Sequence, residues 1–437
     1  MADARETALR VLLSLRHGAW SDGALAAAIE KDGLDTRDAA LCTGICYGVL
    51  QNRLYLDHCI AQFSTLKMNK IAPTVLEILR IAAYQIYYLD KVPASAAVNE
   101  AVRQCRTHAN PKAAGFVNAV LRKLADSPRP DVKEEALLDR LSILYSHPRP
   151  VVGMLAKAVG EEQIEALLAA NNAPVPLSIR LNTIKGTPEA LCAALRKEGL
   201  DLTQDAALPT AAMLPGSGRI TRLDCFAKGL FTVQDKASQL CALTLSPQAG
   251  EEVLDLCAAP GGKSFAMAAL MENRGRIISC DLHAHKLPLI EEGAARLGID
   301  ILQTVCMDSS RHQPKFHQRF DRVLADVPCS GLGGIRNKPD IRYKDIADLP
   351  KLPDIQAAIL ENAVDYVKPG GVLVYSTCTI LARENRRVVQ RVLDNHPELT
   401  LEAFTLPGIG ETAGDITLLP HIHGTDGFYI AKIRKKG

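Results

Sequence analysis

Val253-Leu254-Asp255-Leu256 runs without a break into Cys257-Ala258-Ala259-Pro260-Gly261-Gly262-Lys263-Ser264. A short apolar run ends, a glycine pair turns the chain, and a helical stretch begins. In a doubly wound sheet, this strand–turn–helix junction is where a nucleotide-like ligand binds. Small residues and glycines let the backbone approach that ligand closely. Two familiar motifs fail here. A P-loop needs a glycine five positions before its Gly-Lys glycine, and Cys257 stands there; the GxGxxG spacing is missing as well.

Downstream, apolar runs of strand length alternate with helical stretches. Strands are expected at Glu252–Cys257, Arg276–Asp281, Ile301–Val305, Asp321–Val327 and Gly371–Ser376, with Gly427–Ile433 as a closing strand. Such runs, separated by helices, imply a parallel sheet. Asp281 ends the second strand about 20 residues past the glycines, where an acid can accept ribose hydroxyls. Asp308 follows the third strand, where a carboxylate could receive an adenine amino group, and Asp326 ends the fourth. Each acid alone could be a solvated loop residue or a cap. Three at successive strand ends on one sheet edge point to a bound cofactor. An acid on the ribose suits NAD or S-adenosylmethionine, and the missing pyrophosphate fingerprint favours the latter.

Two thiols border the same edge. Asp326-Val327-Pro328-Cys329-Ser330-Gly331 places one just past the fourth strand, and Tyr375-Ser376-Thr377-Cys378-Thr379 places another just past the fifth. Adjacent parallel strand ends face one crevice. Cytosine C5 is a poor nucleophile, but a thiolate adding at C6 turns the ring into an enamine whose C5 can accept a methyl group. That chemistry needs an activated thiol, a hydrogen-bond donor or acid at the N3 edge, and a route to elimination. The plain alternative for any cysteine is a buried small hydrophobe. It is the reading for Cys42, Cys59, Cys105, Cys192 and Cys241. Cys42 and Cys46 lie one helical turn apart without an accompanying Cys/His cluster, so no metal site is expected.

The first third of the chain reads differently. Leu76, Leu79, Ala83 and Ile86 recur at helical spacing, and Phe116, Val117, Val120, Leu121 and Leu124 repeat the pattern. No strand signal stands out from 4 to 145, so an all-helical bundle is expected. His147-Pro148-Arg149-Pro150 reads as a hinge. Beyond it a small α/β module is expected, with a strand at Leu177–Leu181 and a helix at Thr187–Glu198. The expected domains are thus 1–145, 146–230 and 231–437.

At 437 residues, 47% hydrophobic and 23% charged, the composition is that of a multidomain globular protein. A formal charge of only +2 means that any nucleic-acid surface is a local basic patch. The charged start of the chain argues against a secretory leader, and the apolar stretch Val75–Leu89 is broken by Glu77, Arg80 and Gln85. A cytoplasmic monomer without a membrane partner is the expectation.

The segments LDLCAAPGGKS (254–264), DVPCSGLG (326–333) and YSTCT (375–379) closely resemble the RNA 5-methylcytosine methyltransferase family. The resemblance extends through PDIRYK (339–344) and DGFYIAKIRK (426–435). VNEAV (98–102) and GFVNAVLRK (115–123) look like the NusB-like helical domain of its RsmB (Sun/Fmu) subgroup, which methylates small-subunit ribosomal RNA. The resemblance implies three parts: a NusB-like RNA-binding bundle, an RRM-like α/β module, and a Rossmann-like class I methyltransferase domain using S-adenosyl-L-methionine. RLNT (180–183) resembles a segment of the middle module. The resemblance further implies Cys378 as the nucleophile, forming a covalent adduct at C6, and Cys329 as the thiol assisting product release. It places Cys257, Ala258, Ala259, Pro260, Gly261, Gly262, Lys263, Asp281, Asp308 and Asp326 around the cofactor, with Asp326 also on the target base and Lys263 near the reacting ring. Pro150 and Tyr343 depart from the pattern, which usually has Trp at each place, and Gly333-Gly334-Ile335-Arg336 replaces a more arginine-rich run.

A base reacting at C5 and C6 must be flipped out or unpaired. Candidate phosphate contacts are Arg336, Lys338, Arg342 and Lys344, then Arg383, Arg386 and Arg387, with Arg103, Arg106, Lys112, Arg122 and Lys123 extending the track; for each group the alternative is a solvated charged face. Competing readings are the same chemistry on transfer RNA or another ribosomal site, a non-catalytic NusB-like RNA-binding regulator, and a small-molecule methyltransferase. The paired thiols speak against the second, and the helical domain against the third.

Overall fold

The computed structural model describes residues 3–15, 21–215 and 220–437, which form two compact units. The first comprises the chain up to Ala173 together with Asn337–Lys344; the second comprises Pro174–Arg336 and Asp345–Gly437.

The described residues of the first unit are helical. Its helices are α1 (Ala4–Leu15), α2 (Ser21–Asp32), α3 (Thr36–Phe63), α4 (Pro73–Tyr88), α5 (Ala94–His108), α6 (Ala114–Asp126), α7 (Leu137–Leu144), α8 (Arg149–Val159) and α9 (Glu161–Asn172). Asp35 caps α3 by accepting from the Asp38 amide at 2.8 Å, and Pro73 opens α4, where its missing N–H costs nothing. Leu79, Ala83, Val117, Val120, Leu121 and Leu124 are buried in one core, as their helical spacing requires. Inside that unit Arg80 donates to both carboxylate oxygens of Asp57, at 2.7 and 2.6 Å, and to Glu77 at 2.5 Å. Helices α8 and α9 belong to this unit although they lie beyond the hinge at 147–150. Apolar residues Val151, Val152 and Leu155 of α8, with Ile164, Leu167 and Leu168 of α9, are buried.

The eight residues Asn337–Lys344 bring their own packing into the helical unit. Arg342 is fully buried there; its Nη1 donates to the carbonyls of Gln51, Tyr145 and Ser146 and, at 2.9 Å, to Asn172 Oδ1. Tyr343 donates to the carbonyls of Leu50 and Ser146, and the Arg53 guanidinium lies over its ring. Burial holds Arg342 down to about 10.

The second unit begins with a four-stranded antiparallel sheet. Strand β1 (Leu177–Leu181) pairs with β3 (Ala211–Leu214) and β4 (Phe231–Val233), and β2 (Thr203–Gln204) flanks β3. Helices α10 (Pro188–Lys197) and α11 (Asp224–Ala227) complete it; Thr187 caps α10. The expected strand at 177–181 is present residue for residue.

The remainder is a mixed sheet. After α12 (Lys236–Leu245) come β5 (Glu252–Asp255), α13 (Gly262–Leu270), β6 (Arg276–Asp281), α14 (Leu287–Leu297), β7 (Leu302–Cys306), β8 (Phe320–Asp326), α15 (Leu352–Tyr366), β9 (Val367–Thr377) and α16 (Arg386–Asn395). The chain closes with β10 (Leu399–Leu401), β11 (Phe404–Leu406), β12 (Gly410–Thr412), β13 (Asp415–Leu418), α17 (Pro420–His423) and β14 (Phe428–Lys435). The strand order is β10-β14-β9-β8-β5-β6-β7. Strands β5 to β9 are parallel, and β14 runs antiparallel beside β9, from Tyr429 opposite Thr377 to Arg434 opposite Val372. Alternate residues feed two cores: Val253, Ile277 and Leu324 pack with α12 to α14, while Leu254, Ile278 and Val323 pack with α15 and α16. Strand order reverses between β5 and β8, and in sheets of this kind a ligand binds beyond the strands' carboxyl ends at such a point. No helix among the described residues is long and apolar enough to cross a membrane.

Candidate active site

The glycine turn is held from both sides. Gly261 has φ +107°, and a Cβ there would lie 2.4 Å from the Phe265 ring, so a side chain is barred. Inside the turn, the buried Ser264 hydroxyl donates to Asp255 Oδ2 at 2.7 Å and lies 2.8 Å from Ser279 Oγ, tying β5, α13 and β6 together. Burial pushes Asp255 up to about 7. It also pushes the Cys257 thiol well above its ordinary range, which leaves that cysteine a neutral wall of the turn.

Asp281, at the end of β6, accepts from the His283 amide at 2.9 Å with one oxygen and from the Ala259 amide at 3.3 Å with the other. The carboxylate therefore stands against the glycine turn. Asp308 is engaged locally: it accepts from the Ser310 amide and, at 2.6 Å, from its hydroxyl, and pairs with Arg311. The Ser310 hydrogen bonds and Arg311 hold its carboxyl below the usual range.

Asp326 ends β8 and is gripped on both oxygens. Ser376 Oγ of β9 donates to Oδ1 at 2.7 Å, and Lys263 Nζ of α13 donates to Oδ2 at 2.7 Å. Burial works against the Lys263 charge, but Asp326 outweighs it and raises the lysine above its ordinary value. The Phe428 ring lies 5.1 Å from the same ammonium. Ser376 and Phe428 lie within YSTCT (375–379) and DGFYIAKIRK (426–435), whose pattern alone assigns them no role; the register of β9 against β8 and β14 places them.

The two thiols meet. Cys329 Sγ and Cys378 Sγ are 3.1 Å apart, Cys378 on the exposed side and Cys329 half-buried. The hydrogen bond from Cys329 holds Cys378 below the ordinary thiol range; burial and Asp326 oppose this, and the Lys263 charge assists it. Cys329 is pushed well above that range by the same hydrogen bond, by burial and by the charges of Cys378 and Glu384. The two sulfurs thus share one hydrogen bond in unlike settings, an arrangement in which one can carry negative charge while the other keeps its proton.

The loops carrying them are locked. Ser330 Oγ donates to Thr379 Oγ1 at 2.8 Å, and the Gly333 amide donates to the Cys378 carbonyl at 3.0 Å. A Cβ on Gly333 would fall 1.8 Å from the Gly427 carbonyl oxygen, so the backbones of these two glycines approach as no other residue allows.

Several expected phosphate contacts are otherwise occupied. Arg342 is fully buried in the helical unit and is withdrawn from that role. Arg336 donates to the Gly424 carbonyl, Arg386 pairs with Asp415, and Arg103 pairs with Glu100 and Asp3. Arg387 is exposed, on the first turn of α16. Cys42, Cys59, Cys105, Cys192 and Cys241 are all buried, and no group of three metal-ligating side chains occurs among the described residues.

The chain is similar to known proteins. Residues 242–434 match the family described as 16S rRNA methyltransferase RsmB/F, residues 2–126 match the NusB family, and residues 147–221 match the RsmF/B-like ferredoxin-like domain. The probable ribosomal RNA small subunit methyltransferase B of Bacillus subtilis is 37% identical over 99% of both chains. The corresponding protein of Synechocystis is 35% identical over the whole of both chains. Among solved structures, PH0851 superposes with a TM-score of 0.82 at 26% identity, covering 98% of this chain and 97% of that one. NSun6 from Pyrococcus horikoshii, solved with SFG, gives 0.59 at 25% identity, covering 66% and 98%.

Proposed function

Since the chain belongs to the ribosomal RNA small subunit methyltransferase B family, we propose that it methylates C5 of a cytosine in 16S ribosomal RNA, with Cys378 as the attacking thiolate. The observation that carries this reading is the 3.1 Å approach of two unlike sulfurs beside the Lys263–Asp326 pair.

The methyl donor in this reading is S-adenosyl-L-methionine. The fit rests on the glycine turn, where a Cβ at Gly261 would meet Phe265, and on the Asp281 carboxylate standing against it. Residues 257–263 would line the donor, Asp281 would accept its ribose hydroxyls, and Asp308 would stand toward its adenine. When bound, the donor supplies an electrophilic methyl group.

The rest is done by side chains of this chain. Cys378 adds to C6 of a flipped cytosine, forming a C–S bond and making C5 nucleophilic. Asp326, fixed by Ser376 and Lys263, takes the hydrogen-bonding edge of the base, and the Lys263 ammonium stabilises charge developing on the ring. After C5 is methylated, its proton passes to water, the C–H electron pair re-forms the C5–C6 double bond, and the C6–S bond breaks to release Cys378 as the thiolate. Cys329, hydrogen-bonded to the departing sulfur, assists that release.

In this reading the enzyme acts as a cytoplasmic monomer built from a helical, NusB-like RNA-binding part whose unit runs to Ala173, a small α/β part that follows it, and a catalytic part (231–437). Bisulfite sequencing of ribosomal RNA from a deletion strain against its parent tests it. A single 16S cytosine losing protection supports the proposal; an unchanged 16S profile, or a change confined to transfer RNA, overturns the substrate.

A further inference from the structure

Two consecutive residues between β9 and α16 each hold one of the thiol-bearing turns. Glu384 is fully buried; its Oε2 accepts from the Ser330 amide at 2.8 Å, the peptide that follows Cys329, and from Gln356 Nε2 at 3.2 Å. Asn385 is buried beside it. Its Oδ1 accepts from the Thr377 hydroxyl at 2.5 Å, and its Nδ2 donates to the Thr379 carbonyl at 2.9 Å, so it brackets Cys378 from either side. Tyr375 donates to the Glu384 carbonyl at 2.6 Å, which fastens the pair to β9. In the sequence these residues lie in Ala382-Arg383-Glu384-Asn385-Arg386-Arg387, a run whose arginines read as phosphate contacts or a solvated charged face.

A buried carboxylate is costly unless its setting uses it. Here Gln356 and one backbone amide satisfy Oε2, while Oε1 is buried without a hydrogen bond, 3.9 Å from Arg383 Nε. We propose that Glu384 and Asn385 are a positioning pair: Asn385 fixes the Cys378 turn, while Glu384 fixes the Cys329 turn and keeps a negative charge on that side, so that Cys329 stays the thiol and Cys378 the thiolate. Opposite charges then flank the sulfur pair, with the Lys263 ammonium on the Cys378 side and the Glu384 carboxylate on the Cys329 side. The other titratable groups facing Cys329 are Cys378 and Tyr375, and Asp326 faces Cys378. A carboxylate is needed because an uncharged clamp would fix the geometry but leave the proton free to sit on either sulfur.

The inference rests on the reading of Cys378 as nucleophile, and its test is chosen to be separable from that reading. Alkylation of Cys329 and Cys378 by iodoacetamide, followed by mass spectrometry from pH 5 to 10, needs neither RNA nor methyl donor. Glu384→Gln keeps the shape and an acceptor for the Ser330 amide but removes the charge. The expected result is a Cys329 midpoint lower by about one pH unit, a roughly tenfold lower kcat and an unchanged KM for the methyl donor. Asn385→Ala is expected to move the Cys378 midpoint and leave that of Cys329 in place. An unmoved Cys329 midpoint in folded Glu384→Gln overturns the proposal whatever the activity. If Glu384→Gln does not fold, Glu384→Asp, which keeps the charge but draws it back by one methylene, replaces it. A partial downward shift there supports the pair, and no shift overturns it. Loss of activity in a Cys378 variant bears on the nucleophile alone, because the Glu384→Gln comparison is read with Cys378 in place.

Discussion

Lys263 Nζ and Asp326 Oδ2 lie 2.7 Å apart, joining the first turn of the helix after the glycine loop to the end of the fourth parallel strand. The pair stands where the strand order reverses, and its cationic member also acts on Cys378. Removing that cation should therefore be felt at the sulfur. A nearby positive charge favours the thiolate, so Lys263→Met raises the Cys378 midpoint. The acid limb of the kcat/KM profile is expected to move up by about one pH unit, with at least roughly tenfold less activity at pH 7 that is recovered only in part at higher pH, where the lost stabilisation of the ring remains. A pH–rate series on both proteins checks this; parallel profiles with a uniform loss would refute it.

Cys378→Ala is expected to lower methylation on the order of 10⁴-fold, the scale of losing a nucleophile. Tritium transfer from labelled donor to a 16S transcript measures it, and turnover at the wild-type rate would refute the assignment.

Cys329→Ala should let addition proceed and stall elimination. The expected result is a covalent protein–RNA species that migrates slowly on a denaturing gel and disappears in the Cys329→Ala/Cys378→Ala double variant. A gel with no such band counts against the release role.

Asp281→Ala is expected to weaken methyl-donor binding about tenfold to a hundredfold, the worth of charge-assisted hydrogen bonds, with RNA affinity unchanged. Calorimetry with the donor and filter binding with RNA separate the two; equal donor affinity would contradict the assignment.

The helical unit offers a stability test remote from the chemistry. Arg80→Met removes the guanidinium from the buried Glu77, only 2% exposed, and from Asp57. Breaking a buried ion pair from one side costs about 3 kcal/mol. Urea unfolding of the full chain, followed by circular dichroism, should show a lower midpoint that, multiplied by the slope m, gives a loss of that size.

Much of this was legible in the sequence because it is written in local pattern. The strands at 276–281 and 177–181 stand out by their apolar runs, and Asp255 through Ser264 announce a strand–turn–helix by residue type alone. Adjacency of Cys329 and Cys378 followed from two parallel strands ending side by side. What escaped was set by long-range packing. Glu384 and Asn385 sit in a charged hexapeptide and are buried only because β9 and α15 close over them. Arg342 looked like a phosphate contact because it stands among Arg336, Lys338 and Lys344, yet it packs against residues some two hundred positions away. Helices α8 and α9 follow a proline-rich hinge that signals an end, but their apolar faces complete the preceding bundle.

The octapeptide Asn337–Lys344 makes the helical half something other than a detachable cassette. A chimera spliced at residue 173 would separate Arg342 and Tyr343 from the carbonyls of Gln51, Leu50 and Ser146 that receive them. Domain exchange between relatives therefore has to move two stretches of gene together, and an isolated catalytic fragment would display a stranded guanidinium and phenol in water.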